Sequence, residues 1–191
     1  PTHYMGTLVF AGPSQIGGVS TSEVIDGQQR LTTLVTLLAA IRDAKINYKP
    51  RKESADKKKK KKASKKNTKE NKARDDFETF NNTFFVNASH RNSERMYRLY
   101  LQEEDRGALE AVISRTKHEV SSPTDKSLVY ESYRYFQRAI NKGSEDFEED
   151  DPFSRFRGLF PLNTQERLNI LEQIILTRLT FIHIETASAD D

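Results

Sequence analysis

The segment Val24–Thr33 places an acid, a glycine, two amides, an arginine and two hydroxyl residues within ten positions. Apolar residues follow it at helical spacing, at Leu31, Leu34, Val35, Leu38 and Ile41. The pattern predicts a short strand that turns directly into an amphipathic helix, with the polar side chains in the first helical turn. The candidate site residues are Asp26, Gly27, Gln28, Gln29, Arg30, Thr32 and Thr33.

The first turn of a helix has backbone N–H groups without partners and the positive end of the helix dipole, and both favour an anion. Arg30 is unfavourable there in a plain helix, because cations are preferred at the opposite end. A bound phosphate would remove this conflict. The segment is therefore typical of an anion or nucleotide site.

A purely structural interpretation is also open. Asp26 can be the N-cap of the helix, and Gln29, three residues later, can be the returning partner of a capping box. This interpretation accounts for two residues and leaves Gln28, Arg30, Thr32 and Thr33 unexplained. Capping chemistry and anion binding are compatible with each other.

The charge of the chain is divided unevenly. Residues 49–74 carry fourteen Lys or Arg and three Asp or Glu, a net of +11, whereas the remainder of the chain has a net charge of −8. This Lys-rich insert has no apolar residue larger than alanine in its core and is expected to be disordered in isolation. It is interpreted as a solvated loop, and the alternative is non-specific contact with nucleic-acid phosphates. Residues 144–152 are interpreted as an acidic linker.

The 191 residues suggest one domain over 1–191, with a mean hydropathy of −0.77 and no cysteine. No apolar run approaches the ~20 residues of a membrane span, and a cytoplasmic location is expected. Mixed strands and helices without strict βαβ alternation predict an α+β fold. The predicted strands are Tyr4–Ala11, Glu23–Ile25, Met96–Gln102 and Leu179–Glu185. The predicted helices are Gln28–Lys45, Asp75–Phe85, one capped by Asp105, one from Thr124 to Asn141, and one opened by Asn163 and Glu166 and ending at Leu176.

Other chemistries have little support in the sequence. The glycines Gly12, Gly17 and Gly18 lack the Gly-Lys-Ser/Thr of a P-loop, and no nucleophile elbow is present. The four histidines lack ligand spacing, and His183 is predicted to be a sheet residue. The aromatic run at Tyr130, Tyr133, Tyr135 and Phe136 is predicted to face the core.

The block VIDGQQRLTTL, with HYMGTLVF before it and LLAAIRD after it, resembles the ParB/sulfiredoxin-like N-terminal domain of Gmr-type, modification-dependent (type IV) restriction enzymes. The strong match covers roughly residues 4–43. Relatives usually begin with a Trp-containing block ahead of the first strand and continue into a nuclease, so the chain is expected to be a fragment. The resemblance implies a small mixed α/β unit that continues into a mostly helical part.

The resemblance further implies a nucleotide-binding and hydrolysing domain that uses an NTP, with Mg²⁺, and acts on DNA that is modified or foreign. Asp26 would hold the metal or orient water. Gln28 and Gln29 would bind phosphate or ribose, or position that water, and Arg30 would stabilise the charge that develops on the phosphate. Gly27, Thr32 and Thr33 would line the nucleotide. A nuclease domain or subunit would be the partner, which makes the chain part of an enzyme. The alternative is a non-catalytic DNA-binding module on the same scaffold.

Overall fold

The computed structural model describes residues 2–16, 18–47, 74–90, 96–115, 127–141 and 164–186. Its strands are β1 (His3–Ala11), β2 (Ser14–Ile16), β3 (Val19–Thr21), β4 (Val24–Asp26) and β5 (Leu179–Thr186). Its helices are α1 (Gln28–Asn47), α2 (74–84), α3 (Glu103–Ser114), α4 (Leu128–Asn141) and α5 (Thr164–Arg178). The predicted α+β class is confirmed.

A three-stranded sheet in the order β4-β1-β5 lies at one end of the molecule. β1 pairs antiparallel with β4 and parallel with β5, which follows α5 without a loop. Phe10 and His183 meet across β1 and β5 with their ring centroids 4.8 Å apart, so His183 is a sheet residue as predicted. The first and last described strands of the chain are therefore neighbours.

The helices form the larger part of the molecule and contain its core. The most buried apolar side chains come from α1, α3, α5 and the end of α2, and they are Ile41, Phe85, Leu109, Val112, Ile113 and Leu168. Leu8 of β1 is also buried and lies where the sheet meets the start of α1. α1 thus packs against α3, α4 and α5 in the core, and its start meets β1 at Leu8 and Gly27.

A buried ion pair between neighbouring residues of α1 joins four helices. Arg42 Nε donates to Asp43 Oδ1 over 2.8 Å, and Arg42 Nη2 donates to Asp43 Oδ2 over 3.2 Å. The guanidinium also donates to Asn81 of α2 and to the carbonyls of Val112 and Ile113 in the last turn of α3. All five of its N–H groups thus have acceptors, and Arg42 caps the orphan carbonyls of α3.

Asp43 extends the same network to α4 and to the turn after α3. Its carboxylate accepts a short hydrogen bond from the hydroxyl of Tyr133, which in turn accepts one from Gln137. Arg115 is the C-cap of α3 and has a φ of 61°, in the left-handed region. Its Nε lies 3.4 Å from Asp43 Oδ1. Burial and the hydrogen bond to Asp43 raise the pKa of Tyr133.

Three of the predicted elements differ from the structure. Met96–Gln102 is not a strand. In the described chain it makes one isolated β-bridge, between Tyr97 and Val86, and no longer ladder of backbone pairs. Between the first two predicted strands the structure has an additional strand pair, β2–β3. The prediction that the aromatic run of α4 faces the core is also wrong in part, since Tyr133 is buried but Tyr135 is exposed.

Helix starts are the least accurate part of the prediction. The N-cap of α3 is Gln102 without a side-chain hydrogen bond, and Asp105 instead lies in the first turn. Ser127 is not helical, so α4 begins at Leu128 rather than next to Thr124. Thr124, Asn163, residues 49–73 of the insert and the acidic linker 144–152 lie outside the described residues. Arg74, included in the insert, is helical.

Replacing Arg42 with Met should destabilise the protein by about 3–5 kcal/mol, because it leaves Asp43 buried without its main partner and uncaps α3. The measurement is urea unfolding followed by circular dichroism. The exposed pair between Arg74 and Glu78 provides a control, since Arg74→Ala should cost about 0–1 kcal/mol. Equal losses in the two variants would contradict the role given to Arg42.

Alkaline pH should destabilise the protein through Tyr133. The folded state keeps the Tyr133 proton to a higher pH than the unfolded chain does, so this stabilisation is complete below about pH 10 and declines above it. The expected slope from this group is about 1.4 kcal/mol per pH unit. Tyr133→Phe should remove it, whereas Tyr135→Phe, at an exposed tyrosine of the same helix, should leave the decline unchanged. Urea unfolding at several alkaline pH values measures both.

Candidate functional site

The strand-to-helix junction forms as the sequence predicts, and it lies at an edge of the sheet. β4 ends at Asp26, Gly27 takes a φ of +95°, and α1 begins at Gln28. The N–H of Leu31 donates to the Gly27 carbonyl over 3.0 Å, so Gly27 is the N-cap. The N–H groups of Gln28 and Gln29 precede this bond and have no acceptor within the helix.

The capping-box interpretation of the junction is therefore wrong. It required Asp26 at the N-cap, but Asp26 lies one residue earlier, in β4. The third helical residue is Arg30 rather than Gln29, and its Nη1 lies 3.4 Å from Asp26 Oδ2. The N-cap is residue 27 rather than residue 26. The N-cap here has a positive φ, which suits glycine and would be unfavourable for aspartate.

Arg30 lies against β1. Its Nη1 donates to the Thr7 carbonyl over 2.7 Å, and a Cβ atom at Gly6 would come within 3.0 Å of Arg30 Nε. Gly6 has a φ of +110° where the pairing of β1 with β5 is irregular. Contacts with the Thr7 carbonyl and Asp26 thus relieve part of the conflict between Arg30 and the helix dipole without a bound phosphate.

The Arg30 side chain nevertheless keeps 41% of its surface exposed, and Asp26 keeps 61%. Within the described chain, Nε and Nη2 of Arg30 donate to no protein acceptor. Since a guanidinium has five N–H donors, Arg30 retains donors for an anion at this edge of the sheet.

The other candidate residues of α1 line a cavity to which Arg30 does not contribute. Gln28, Gln29, Thr32 and Thr33 line a cavity of about 350 Å³ between α1, the start of α3 and the start of α4. We call this cavity the amide cleft. Its remaining lining residues are Thr36, Leu101, Gln102, Asp105, Leu128, Val129 and Ser132. The structure therefore separates the predicted site into an arginine side and an amide side.

The two threonine hydroxyls are engaged in the helix. Thr32 Oγ1 donates to the Gln28 carbonyl over 2.8 Å, and Thr33 Oγ1 donates to the Gln29 carbonyl over 2.7 Å. Each hydroxyl has one proton, so in this state both can offer only lone pairs to a ligand. Gly27 lines no ligand surface here, since it is buried against Leu8 and Thr7.

Gln102, Asp105 and Ser132 were not predicted as site residues. Asp105 Oδ1 accepts a hydrogen bond of 3.1 Å from Ser127 Oγ, which ties the first turn of α3 to the residue before α4. The sequence identified Asp105 only as a helix cap. The proximity of these three residues to Gln28 depends on how three separate helices pack, which no local pattern signals.

A larger cavity of about 570 Å³ lies among α1, α2 and α5. Its main charged side chains already have partners, because Arg42 pairs with Asp43 and Lys45 pairs with Glu172. It is therefore a weaker candidate. Among the described residues, no three His, Cys, Asp or Glu side chains form a cluster that could hold a metal ion.

Comparison with known families gives a match over the whole chain. The family model described as the GmrSD restriction endonuclease, N-terminal domain, matches residues 1–191. The chain belongs to this family. No curated protein matches the chain. Among the described residues of this GmrSD N-terminal domain, no helix has both the length and the hydrophobicity that a membrane span requires.

Adding a methyl group at Gly27 should destabilise this GmrSD N-terminal domain by about 1–3 kcal/mol or more. Residue 27 has a positive φ, and a Cβ there would overlap the side chain of Leu8. Gly107→Ala is the matched control, because that glycine lies inside α3 with open space around it. The control should stabilise by about 0.5–1 kcal/mol. Thermal and urea unfolding measure both, and a neutral Gly27→Ala would contradict the tight junction.

Proposed function

We propose that this chain is the nucleotide-binding regulatory domain of a DNA restriction system. In this proposal, use of a nucleoside triphosphate is coupled to cleavage of modified or foreign DNA by a nuclease outside this chain. Membership in the restriction endonuclease family supports a role in DNA restriction. The observation that carries the nucleotide site is Arg30, held at the first turn of α1 with part of its guanidinium exposed.

The residues at this edge of the sheet fit a phosphate group. The first-turn N–H groups of Gln28 and Gln29 have no acceptor within the helix, and the helix dipole adds positive potential. Arg30 supplies a full positive charge and further donors. A phosphate would thus meet donors from the backbone and from the guanidinium together.

A magnesium ion fits less completely. Asp26 is an exposed carboxylate next to Arg30, and within the described chain it belongs to no cluster of three or more His, Cys, Asp or Glu side chains. Mg²⁺ bound with a nucleotide commonly uses one or two carboxylates together with phosphates and water. Asp26 would therefore be the protein ligand of a metal that arrives with the nucleotide.

A bound nucleotide would supply a phosphoanhydride bond that can be hydrolysed. Arg30 would stabilise the charge that develops on its phosphates, as arginine does in phosphoryl transfer. The backbone N–H groups of Gln28 and Gln29 would orient the phosphates or a water molecule. Thr32 and Thr33 would act through Gln28 and Gln29, because their hydroxyls hold the carbonyls of those residues.

The test is nucleotide binding and phosphate release by the full-length protein that carries this chain. Arg30→Ala should weaken nucleotide binding by about tenfold or more, because a charged hydrogen-bond donor is lost. Arg30→Lys keeps the charge but not the planar guanidinium, and its nucleotide affinity should lie between those of the wild type and Arg30→Ala. Arg138→Ala, at an exposed arginine of α4, is the control and should bind as the wild type does.

Folding has to be measured in the same variants, because Arg30 also donates to the Thr7 carbonyl. Its loss should cost about 0.5–1.5 kcal/mol, which leaves a stable protein folded. Nucleotide-dependent DNA cleavage is the second readout and should fall with binding. A folded Arg30→Ala protein with unchanged affinity and turnover would overturn the proposed site.

A further inference from the structure

We propose that the amide cleft holds a nucleobase and that Asp105 selects which base it accepts. The inference rests on the proposed function, because the base would belong to the nucleotide whose phosphates lie near Arg30. An unpaired DNA base presents the same chemistry and could occupy the same cleft. The proposal adds Gln102, Asp105 and Ser132 to the site, none of which belongs to the segment Asp26–Arg30.

The lining of the amide cleft matches a flat, uncharged ligand with polar edges. Amide and hydroxyl side chains from Gln28, Gln102 and Ser132 provide donors and acceptors, while Leu101 and Val129 provide apolar surface. A volume of about 350 Å³ is within the range of about 300–1,000 Å³ that is typical of small-molecule sites. Such a mixture resembles the way proteins hold bases, by hydrogen bonds to the base edge and contact with its faces.

The charge of the cleft disfavours a phosphate group there. No lysine or arginine lines it, and its one ionisable lining residue is the acid Asp105. Although α1, α3 and α4 all begin at the cleft, the first turn of α3 already holds Glu103, Glu104 and Asp105. These acids offset the positive dipole end that would otherwise attract an anion. Phosphates should therefore remain at the Arg30 side.

Asp105 is placed to accept hydrogen bonds from a base. The residue is half-buried, and Ser127 holds its Oδ1, which orients the carboxylate. Its Oδ2 has no donor among the described residues. Amino and imino groups of nucleobases are N–H donors, and a carboxylate accepts only, so it favours bases that present donors at that position.

Arg30 and the amide cleft are separated by about half a helical turn of α1. Gln28 and Arg30 are two residues apart, so their side chains leave α1 in opposite directions. A nucleotide with its phosphates at the start of α1 would therefore have its base directed into the cleft between α3 and α4.

The experiment measures binding of ATP, GTP, CTP, UTP and inorganic triphosphate to the full-length protein by calorimetry. Wild type should prefer one base class, and Asp105→Asn should reduce that preference about tenfold or reverse it. Inorganic triphosphate should bind both proteins equally. Asn is nearly isosteric and can still accept the Ser127 hydrogen bond, so the fold should persist. Glu104→Gln removes the same charge one residue away, outside the cleft, and is the matched control.

Ser132→Ala and Gln102→Ala test the same cleft without a change of charge and should each weaken nucleotide binding but not triphosphate binding. A single-stranded DNA oligonucleotide is the second arm. A base preference that Asp105→Asn alters only in DNA would identify the DNA base as the occupant. Arg30-dependent nucleotide binding with a base preference that none of the cleft variants changes would overturn this inference alone. Absence of binding of any nucleotide and of triphosphate by wild type would overturn the proposed function itself.

Discussion

The buried pair of Arg42 and Asp43 is the constraint on which the helical part of the molecule depends. Two charges removed from water are costly unless every polar atom finds a partner, and here the partners come from α2, α3 and α4. Satisfying the pair therefore requires those helices to meet at the second half of α1. The rings of Phe77 and Phe85, with centroids 4.6 Å and 5.4 Å from Arg42 Cζ, complete the enclosure of the guanidinium.

Fixing one half of α1 also places its other half. The first two turns extend from the helical core to the sheet, with Arg30 against β1 and the amides against the starts of α3 and α4. Residues 28, 29, 32, 33 and 36 share one side of a helix because side chains three and four apart lie together. Arg30 does not line that cleft. A single helix thus serves two surfaces with different chemistry, one with a guanidinium and one with amides and hydroxyls.

Local signals predicted the parts of the fold that local physics decides. The strands at Tyr4–Ala11 and Leu179–Glu185, the junction at Gly27 and the helix from Gln28 were all predictable from alternation, glycine and helical spacing. Met96–Gln102 has the alternation of a strand, but a strand also needs a neighbour, and Tyr97 finds only one bridge. Asp105 has the chemistry of a cap, but its carboxylate bonds to Ser127 twenty-two residues away. Nothing in the local sequence distinguishes these cases.

The sequence by itself determined the family, the α+β class and the residues at the start of α1. A signal for Arg42 was also present, because it follows Val35 and Leu38 at helical spacing and so had to face the core. Only the tertiary structure decided that β5 pairs with β1, that Arg30 faces the sheet, and that Gln102, Asp105 and Ser132 join the amides of α1. The physical reason is that periodicity reports which face of an element is buried, whereas the identity of its partner depends on packing and hydrogen bonds between residues far apart in the chain.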